Sequence, residues 1–244
     1  MTSNRSAAVA RSFGARAATY DEHADLQRIV AKRLARLLPQ LEAPSVLELG
    51  CGTGLFSREL LERYPRGRFV LSDLSPAMLE QARANLASAK GKQTRFALLD
   101  ANLPNIEDRF DLIAMSMTLH WLADPRAGLE RLRSLLNPGG TLVYATISGK
   151  SFPEWRDVLA RERLPSGLIE IPDLPGIVKE EHLVMEADAL SFLRRMQAIG
   201  GLTPKEGYTP LPAGALRRAV RLADALHGGQ ITWHIVYGRL DQTS

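Results

Sequence analysis

With Cys51 as its single cysteine, the 244-residue chain can form no internal disulfide and no thiolate metal cluster. No apolar run approaches the roughly 18 to 20 residues that a membrane span requires, and no stretch has the build of a secretory leader. Internal repeats, low-complexity tracts and His, Cys, Asp or Glu clusters at metal-ligand spacing are missing too. The net charge is only +4, and the surplus lies in residues 1–40, which hold seven Arg or Lys against three acids. No aromatic-interleaved basic stripe accompanies it, so the expected partner is an acidic protein or an anionic substrate rather than nucleic acid. These absences leave a cytoplasmic globular protein, monomer or homodimer, with no metal and no membrane contact. The first twenty residues contain three Arg and no acid; they predict a short mobile tail, with the fold beginning near Phe13.

The most informative stretch present is Val46-Leu47-Glu48-Leu49-Gly50-Cys51-Gly52-Thr53-Gly54. An apolar strand running through an acid into GxGxG builds a turn on which a nucleoside-bearing ligand can lie against bare backbone. Leu55 occupies the place where the dinucleotide fingerprint has its third small residue, which disfavours nicotinamide binding. Apolar Leu26, Ile29, Val30, Leu34, Leu37 and Leu38 recur at helical spacing ahead of the strand. Beyond it, strands at 45–49, 68–72, 95–99, 110–116 and 141–147 alternate with helices at 54–64, 76–88 and 126–136. Alternation of this kind predicts an α/β fold, a mostly parallel sheet with helices on both faces. Ligands in such sheets bind at the carboxyl ends of the strands, where Glu48, Asp73, Asp100 and Ser116 fall.

After Ser148 the pattern changes. A helix over 152–163 runs into Pro165, Pro172, Pro175 and Gly176, and residues 150–186 read as a mobile lid insertion. A helix over 187–199, a strand over 203–209, a helix over 212–226 and a last strand over 230–239 complete the chain. The domain reading is therefore residues 1–43 as tail and covering helix, and residues 44–244 as the main domain.

Asp73 closes the second strand in Leu71-Ser72-Asp73-Leu74-Ser75-Pro76, where a carboxylate can accept from both ribose hydroxyls; Ser75 and Pro76 suit the start of the next helix. Asp100 closes the third, placed to accept from an adenine amino group. Asp111 sits inside the fourth strand and predicts a structural hydrogen bond, and Met115 and Met117 predict core or pocket wall. In their order, with the Leu136-Asn137-Pro138-Gly139-Gly140 turn, these features resemble the class I S-adenosylmethionine-dependent methyltransferases over about residues 44–148. The resemblance implies a Rossmann-like sheet of seven strands, the last reversed. It implies S-adenosylmethionine as cofactor, with Gly50, Gly52 and Gly54 against its methionine part and Glu48 near its ammonium. Asp73 would take the ribose, Leu74 and Met78 would line the adenine, Asp100 and Ala101 would read its edge, and Ser116 would border the site.

The chain is also similar, nearly throughout, to the malonyl-acyl-carrier-protein O-methyltransferases of biotin synthesis. The blocks that carry this are Phe13-Gly14-Ala15-Arg16-Ala17-Ala18-Thr19-Tyr20-Asp21 through Leu26-Gln27, then Thr146–Gly149 with Phe152–Arg156, then 192–201 and 231–239. The resemblance implies that Tyr20 is presented to both cofactor and reaction, and that the substrate is a malonyl group on an acidic carrier protein or on coenzyme A. Its free carboxylate would be esterified, with Arg16 and Trp121 at the substrate and Arg11, Arg156, Arg194 and Arg195 as further docking candidates. One departure is Leu119-His120-Trp121, where the family commonly has glutamine before tryptophan. Histidine there also occurs in methyltransferase-like assembly factors of respiratory complex I. Three alternatives stay open: another small acid such as an aconitate-like carboxylate, a quinone-like oxygen with His120 as base, or an assembly factor. For a carboxylate acceptor, ionised at neutral pH, no base is required, and His120 would shape the pocket with Tyr20.

Overall fold

The computed structural model describes residues 4–88, 93–199, 201, 203 and 207–242. Seven strands form one sheet: β1 Ser45–Leu49, β2 Arg68–Asp73, β3 Gln93–Leu98, β4 Phe110–Ser116, β5 Leu136–Ile147, β6 Ile177–Glu186 and β7 Gln230–Asp241. Their spatial order is β3-β2-β1-β4-β5-β7-β6. The first five run parallel, and β7 pairs antiparallel with both β5 and β6. The switch point therefore lies between β1 and β4, beside the glycine turn.

Side-chain alternation along each strand divides the core between the two faces of the sheet. Val46, Leu112, Ala114 and Val143 pack into one apolar cluster, and Leu47, Leu49, Ile113 and Leu142 into the other. Nine helices stand among the described residues: α1 Asn4–Gly14, α2 Tyr20–His23, α3 Asp25–Ala35, α4 Leu55–Arg63, α5 Pro76–Asn85, α6 Pro125–Arg133, α7 Pro153–Arg161, α8 Ala189–Ala198 and α9 Ala213–His227. A single 3-10 turn, Leu119–Trp121, follows β4. Local chemistry fixes several starts: Ser75 Oγ accepts from the Met78 amide before Pro76, and Asp124 Oδ1 accepts from the Ala127 amide before Pro125. Asp111 accepts from the Ser45 amide and hydroxyl, both at 2.8 Å, and from Asn137 Nδ2 at 2.7 Å, tying β1, β4 and β5 together. No described helix is long and apolar enough to cross a membrane.

The structure corrects three expectations. Residues 4–14 form α1 instead of a mobile tail, with Ser6 and Val9 on its buried face. The lid reading of 150–186 does not hold over its second part, because 177–186 is strand β6 of the sheet. The strand expected at 203–209 is not the sixth: residues 207–210 carry no strand, and 202 and 204–206 lie outside the described residues. Strand β6 escaped the pattern because it is a sheet edge, exposed at Ile177–Glu180 and alternating thereafter, and it carries Lys179, Glu180 and Glu181 where a central strand would carry branched apolar residues. Leu136–Gly140, expected as a turn, is drawn into β5 with a register shift opposite Phe110 and Leu112.

Candidate active site

The carboxyl ends of β1, β2 and β4 open into a cavity of about 120 Å³. Its floor is the glycine turn, where Gly50, Gly52 and Gly54 take φ values of 70°, 55° and 93°, the left-handed region that favours glycine. A Cβ on Gly50 would meet the Thr118 side chain at 2.3 Å, whereas one on Gly52 would project into open space. The turn thus offers a flat strip of backbone to a ligand. Tyr20, Glu48, Asp73, Leu74, Met78, Asp100, Ala101 and Ser116 all line this cavity. Gly54 does not; it caps the start of α4 instead.

Asp73 is held by two backbone donors, Gly52 N to Oδ2 at 2.9 Å and Ser75 N to Oδ1 at 2.8 Å. Burial still raises its pKa, against those bonds. Asp100 is fixed by Asn102, whose amide and side-chain nitrogen both donate to Oδ1 at 2.9 Å. Asn102 Nδ2 also lies 3.3 Å from Ser6 Oγ, which joins this loop to α1. Glu48 is sealed from solvent, and burial pushes its carboxyl up to about 8 even though Ser57 Oγ donates to it at 2.5 Å. Tyr20 keeps its proton, its pKa raised first by burial and then by Asp73 and Asp21. Next to it, Asp21 accepts from Thr53 Oγ1 at 2.5 Å and from Asn85 Nδ2 at 3.1 Å, fastening α2 to the glycine turn and to α5.

A second cavity of about 600 Å³ lies beyond, lined by His120, Trp121 and apolar residues of α7, α8 and the loops after them. Phe13, Tyr20, Gln27, Met117 and Trp121 face both cavities. His120 is buried, its Nδ1 lies 2.8 Å from Thr146 Oγ1, and its pKa is pressed down to about 3, by burial first and the Arg5 charge second. At neutral pH it is an uncharged imidazole. On the same cavity, Ser148 Oγ lies 2.6 Å from His234 Nδ1, and His234 Nε2 lies 3.1 Å from Glu180. This serine–histidine–glutamate line ties the residue after β5 to β7 and β6, with Ser148 on the cavity wall.

The arrangement is one seen before. A methyltransferase-domain family model matches residues 47–142. The chain is 35% identical, over 96% of its length and 92% of the relative's, to a malonyl-(acyl-carrier protein) O-methyltransferase of Magnetococcus marinus. The same name is carried by a protein of Pectobacterium atrosepticum, 30% identical over 95% of this chain and 94% of that one. The chain belongs to this O-methyltransferase family. It is also 37% identical over 95% of its length to the biotin biosynthesis bifunctional protein BioCD of Bordetella avium, of which it spans 51%. Among solved structures, YcgJ of Bacillus subtilis aligns with a TM-score of 0.62 at 14% identity over 88% of this chain and 99% of that one. The N-methyltransferase NodS of Bradyrhizobium japonicum, solved with S-adenosyl-L-homocysteine, aligns with a TM-score of 0.55 at 18% identity over 97% and 99%. Both likenesses are of fold, and they agree with a class I methyltransferase sheet.

Within this O-methyltransferase, Arg16 is not where the sequence reading put it. Its Nη1 donates to the Ser12 carbonyl at 2.7 Å, on the C-terminal turn of α1, and it lines neither cavity. A different pair of arginines, Arg156 and Arg194, borders the second cavity, with Arg156 Nε anchored on the Ser151 carbonyl at 2.9 Å. One residue went unread as a site residue. Gln27 lines both cavities with its Oε1 buried and without a hydrogen-bond partner among the described residues; Arg5 Nη2 is buried and unpartnered in the same way, but Arg5 lines neither cavity. A signal for Gln27 existed: it lies on the α3 stripe that carries Val30, Ala31 and Leu34, all buried, a place where a polar side chain needs a reason.

Proposed function

We propose that this protein is a cytoplasmic methyltransferase that uses S-adenosylmethionine to esterify the free carboxylate of a malonyl group carried on acyl-carrier protein, a step in biotin synthesis. The observation that carries the reading is the meeting of the two cavities at Phe13, Tyr20, Gln27, Met117 and Trp121, a site at the strand ends over the glycine turn opening directly into a larger, mainly apolar one. The names of the relatives supply the acceptor.

The residues of the first cavity fit the cofactor. Backbone at Gly50 and Gly52 takes the methionine portion, Glu48 the ammonium, Asp73 the ribose hydroxyls, and Asp100 with Ala101 the adenine edge between Leu74 and Met78. When bound, the cofactor supplies an electrophilic methyl on a sulfonium. The protein's part is to aim the acceptor and exclude water. A carboxylate is already anionic at neutral pH, so the neutral His120 is not asked to remove a proton; it shapes the acyl cavity with Trp121. Arg156 and Arg194 at the cavity wall supply the positive potential that an anionic acyl group requires, and Arg5 stands near enough for its charge to act on His120.

Incubating the protein with methyl-labelled S-adenosylmethionine and malonyl-carrier protein, with malonyl-coenzyme A and unacylated carrier as controls, tests the reading by intact mass. A methyl ester on the malonyl group is the expected product. Cofactor binding with no transfer to any malonyl thioester would overturn the substrate assignment.

A further inference from the structure

Transfer of a methyl group between the two cavities takes place against the five residues that line both. Phe13 and Met117 present no strong hydrogen-bond donor there. Gln27 is set apart by an open valence: its Oε1 is buried, and no described residue pairs with it. An amide left in this condition on the buried stripe of a helix weakens the fold, and a native structure that keeps one points to a partner that arrives later. Both ends of the side chain are available to such a partner, because a half-turn of the terminal amide exchanges Oε1 and Nε2 without altering its packing.

The acceptor supplies the complementary group. Its two carboxylate oxygens have separate tasks: one attacks the methyl carbon in line, and the other enters a dry wall where it needs a donor. We propose that Gln27 is a substrate-holding residue of the reaction, turning its amide nitrogen to the carboxylate oxygen that does not attack and so fixing the direction of the other. The proposal rests on the reading of the acceptor as a carboxylate. An amide suits the task because it donates without surrendering a proton, so the anion stays nucleophilic. The oxygen–carbon bond forms as the carbon–sulfur bond breaks, the electron pair leaves with sulfur, and no proton moves. Arg5 of α1 lines neither cavity, but its charge reaches His120 and so adds positive potential without displacing that amide.

Two variants test this. Gln27→Leu keeps the shape and suits the apolar stripe, so its melting temperature without ligands should equal or exceed that of the wild type. Its kcat/KM for malonyl-carrier protein should fall about 10- to 100-fold, the range for a lost hydrogen bond to a charged group, while the Kd for S-adenosylmethionine by calorimetry stays within about twofold. Gln27→Glu should lose more at pH 8, where a carboxylate faces a carboxylate. It should recover as the pH is lowered and the new acid becomes a donor, a rise absent from the wild-type profile. Wild-type kcat/KM in Gln27→Leu, or in Gln27→Glu at pH 8, or a loss that sits in cofactor affinity alone, would overturn the proposal and leave the function intact. A wild-type protein that esterifies no malonyl thioester would overturn the function, and this role with it.

Discussion

Ser57 donates its hydroxyl proton to Glu48 Oε2 across 2.5 Å, with both side chains buried at the base of the first cavity. With its carboxyl raised from 4.5 to about 8, chiefly by burial, Glu48 is protonated in the free protein at neutral pH. A cationic ammonium placed beside it would expel that proton. Cofactor affinity should therefore climb as the pH rises towards 8 and level off above it, with close to one proton released per cofactor bound near pH 7. Calorimetry in two buffers of different ionisation enthalpy reads the proton count directly. Glu48→Gln should weaken binding and abolish the release; a wild-type release of zero would show that Glu48 does not meet the ammonium. In the free protein the sign is opposite. A raised carboxyl favours folding below 4.5 and loses that advantage as the pH rises through 8.

Gly50 and Gly52 separate folding from binding. Gly50→Ala combines a φ of 70° with the Thr118 side chain at 2.3 Å, and Thr118 Oγ1 is itself donating to the Gly50 carbonyl at 3.2 Å. Strain of this kind costs roughly 1 to 3 kcal/mol for the backbone alone. Gly52→Ala meets no neighbour, and its methyl enters the strip on which the cofactor lies. Thermal melting with and without cofactor should show Gly50→Ala melting well below wild type. Gly52→Ala should melt closer to wild type yet gain little from added cofactor. The reverse ranking would refute the placement of the ligand over Gly52.

His120 gives the protein an acid limit. The folded imidazole titrates near 3 and the unfolded one near 6.5, so between those values the unfolded chain holds a proton that the folded chain refuses. Stability drops as the pH falls through that window, by about 2 kcal/mol at pH 5 from this group. Urea melts at pH 7 and pH 5 should show the wild type losing more than His120→Gln. Equal losses would place the acid sensitivity elsewhere. The same variant should keep kcat within about tenfold, since a carboxylate acceptor needs no base.

What could be read in the chain was whatever has a local cause. The turn at 50–54, the Ser75–Pro76 helix start and the carboxylates at strand ends follow from residues within a few positions of one another or from one strand's alternation; for Asp111 the chain showed that it would be structural, but not its partners Ser45 and Asn137, which lie far away in sequence. The fates of the arginines have no such local cause. Arg16 and Arg5 both sit on or beside α1, and only the path of that helix decides that Arg5 buries its Nη2 while Arg16 closes on the Ser12 carbonyl, neither of them lining a cavity. Gln27 was readable as a polar position on the apolar stripe of α3, but which cavities that stripe meets depends on the packing of α3 against distant segments. Strand β6 lacked any apolar alternation strong enough to announce it.

That lack has its own value. Strand β6 ends the sheet with one side of its backbone unpaired, the arrangement that in many proteins templates an incoming strand. Its Lys179 and Glu180 stand exposed along that border, and Glu181 is drawn to Arg33 and Lys179. A chain docking there would have to strip water from these charges, which is how natural sheets keep from growing into aggregates. The polarity that concealed β6 as a strand thus raises the cost of adding another strand to this edge.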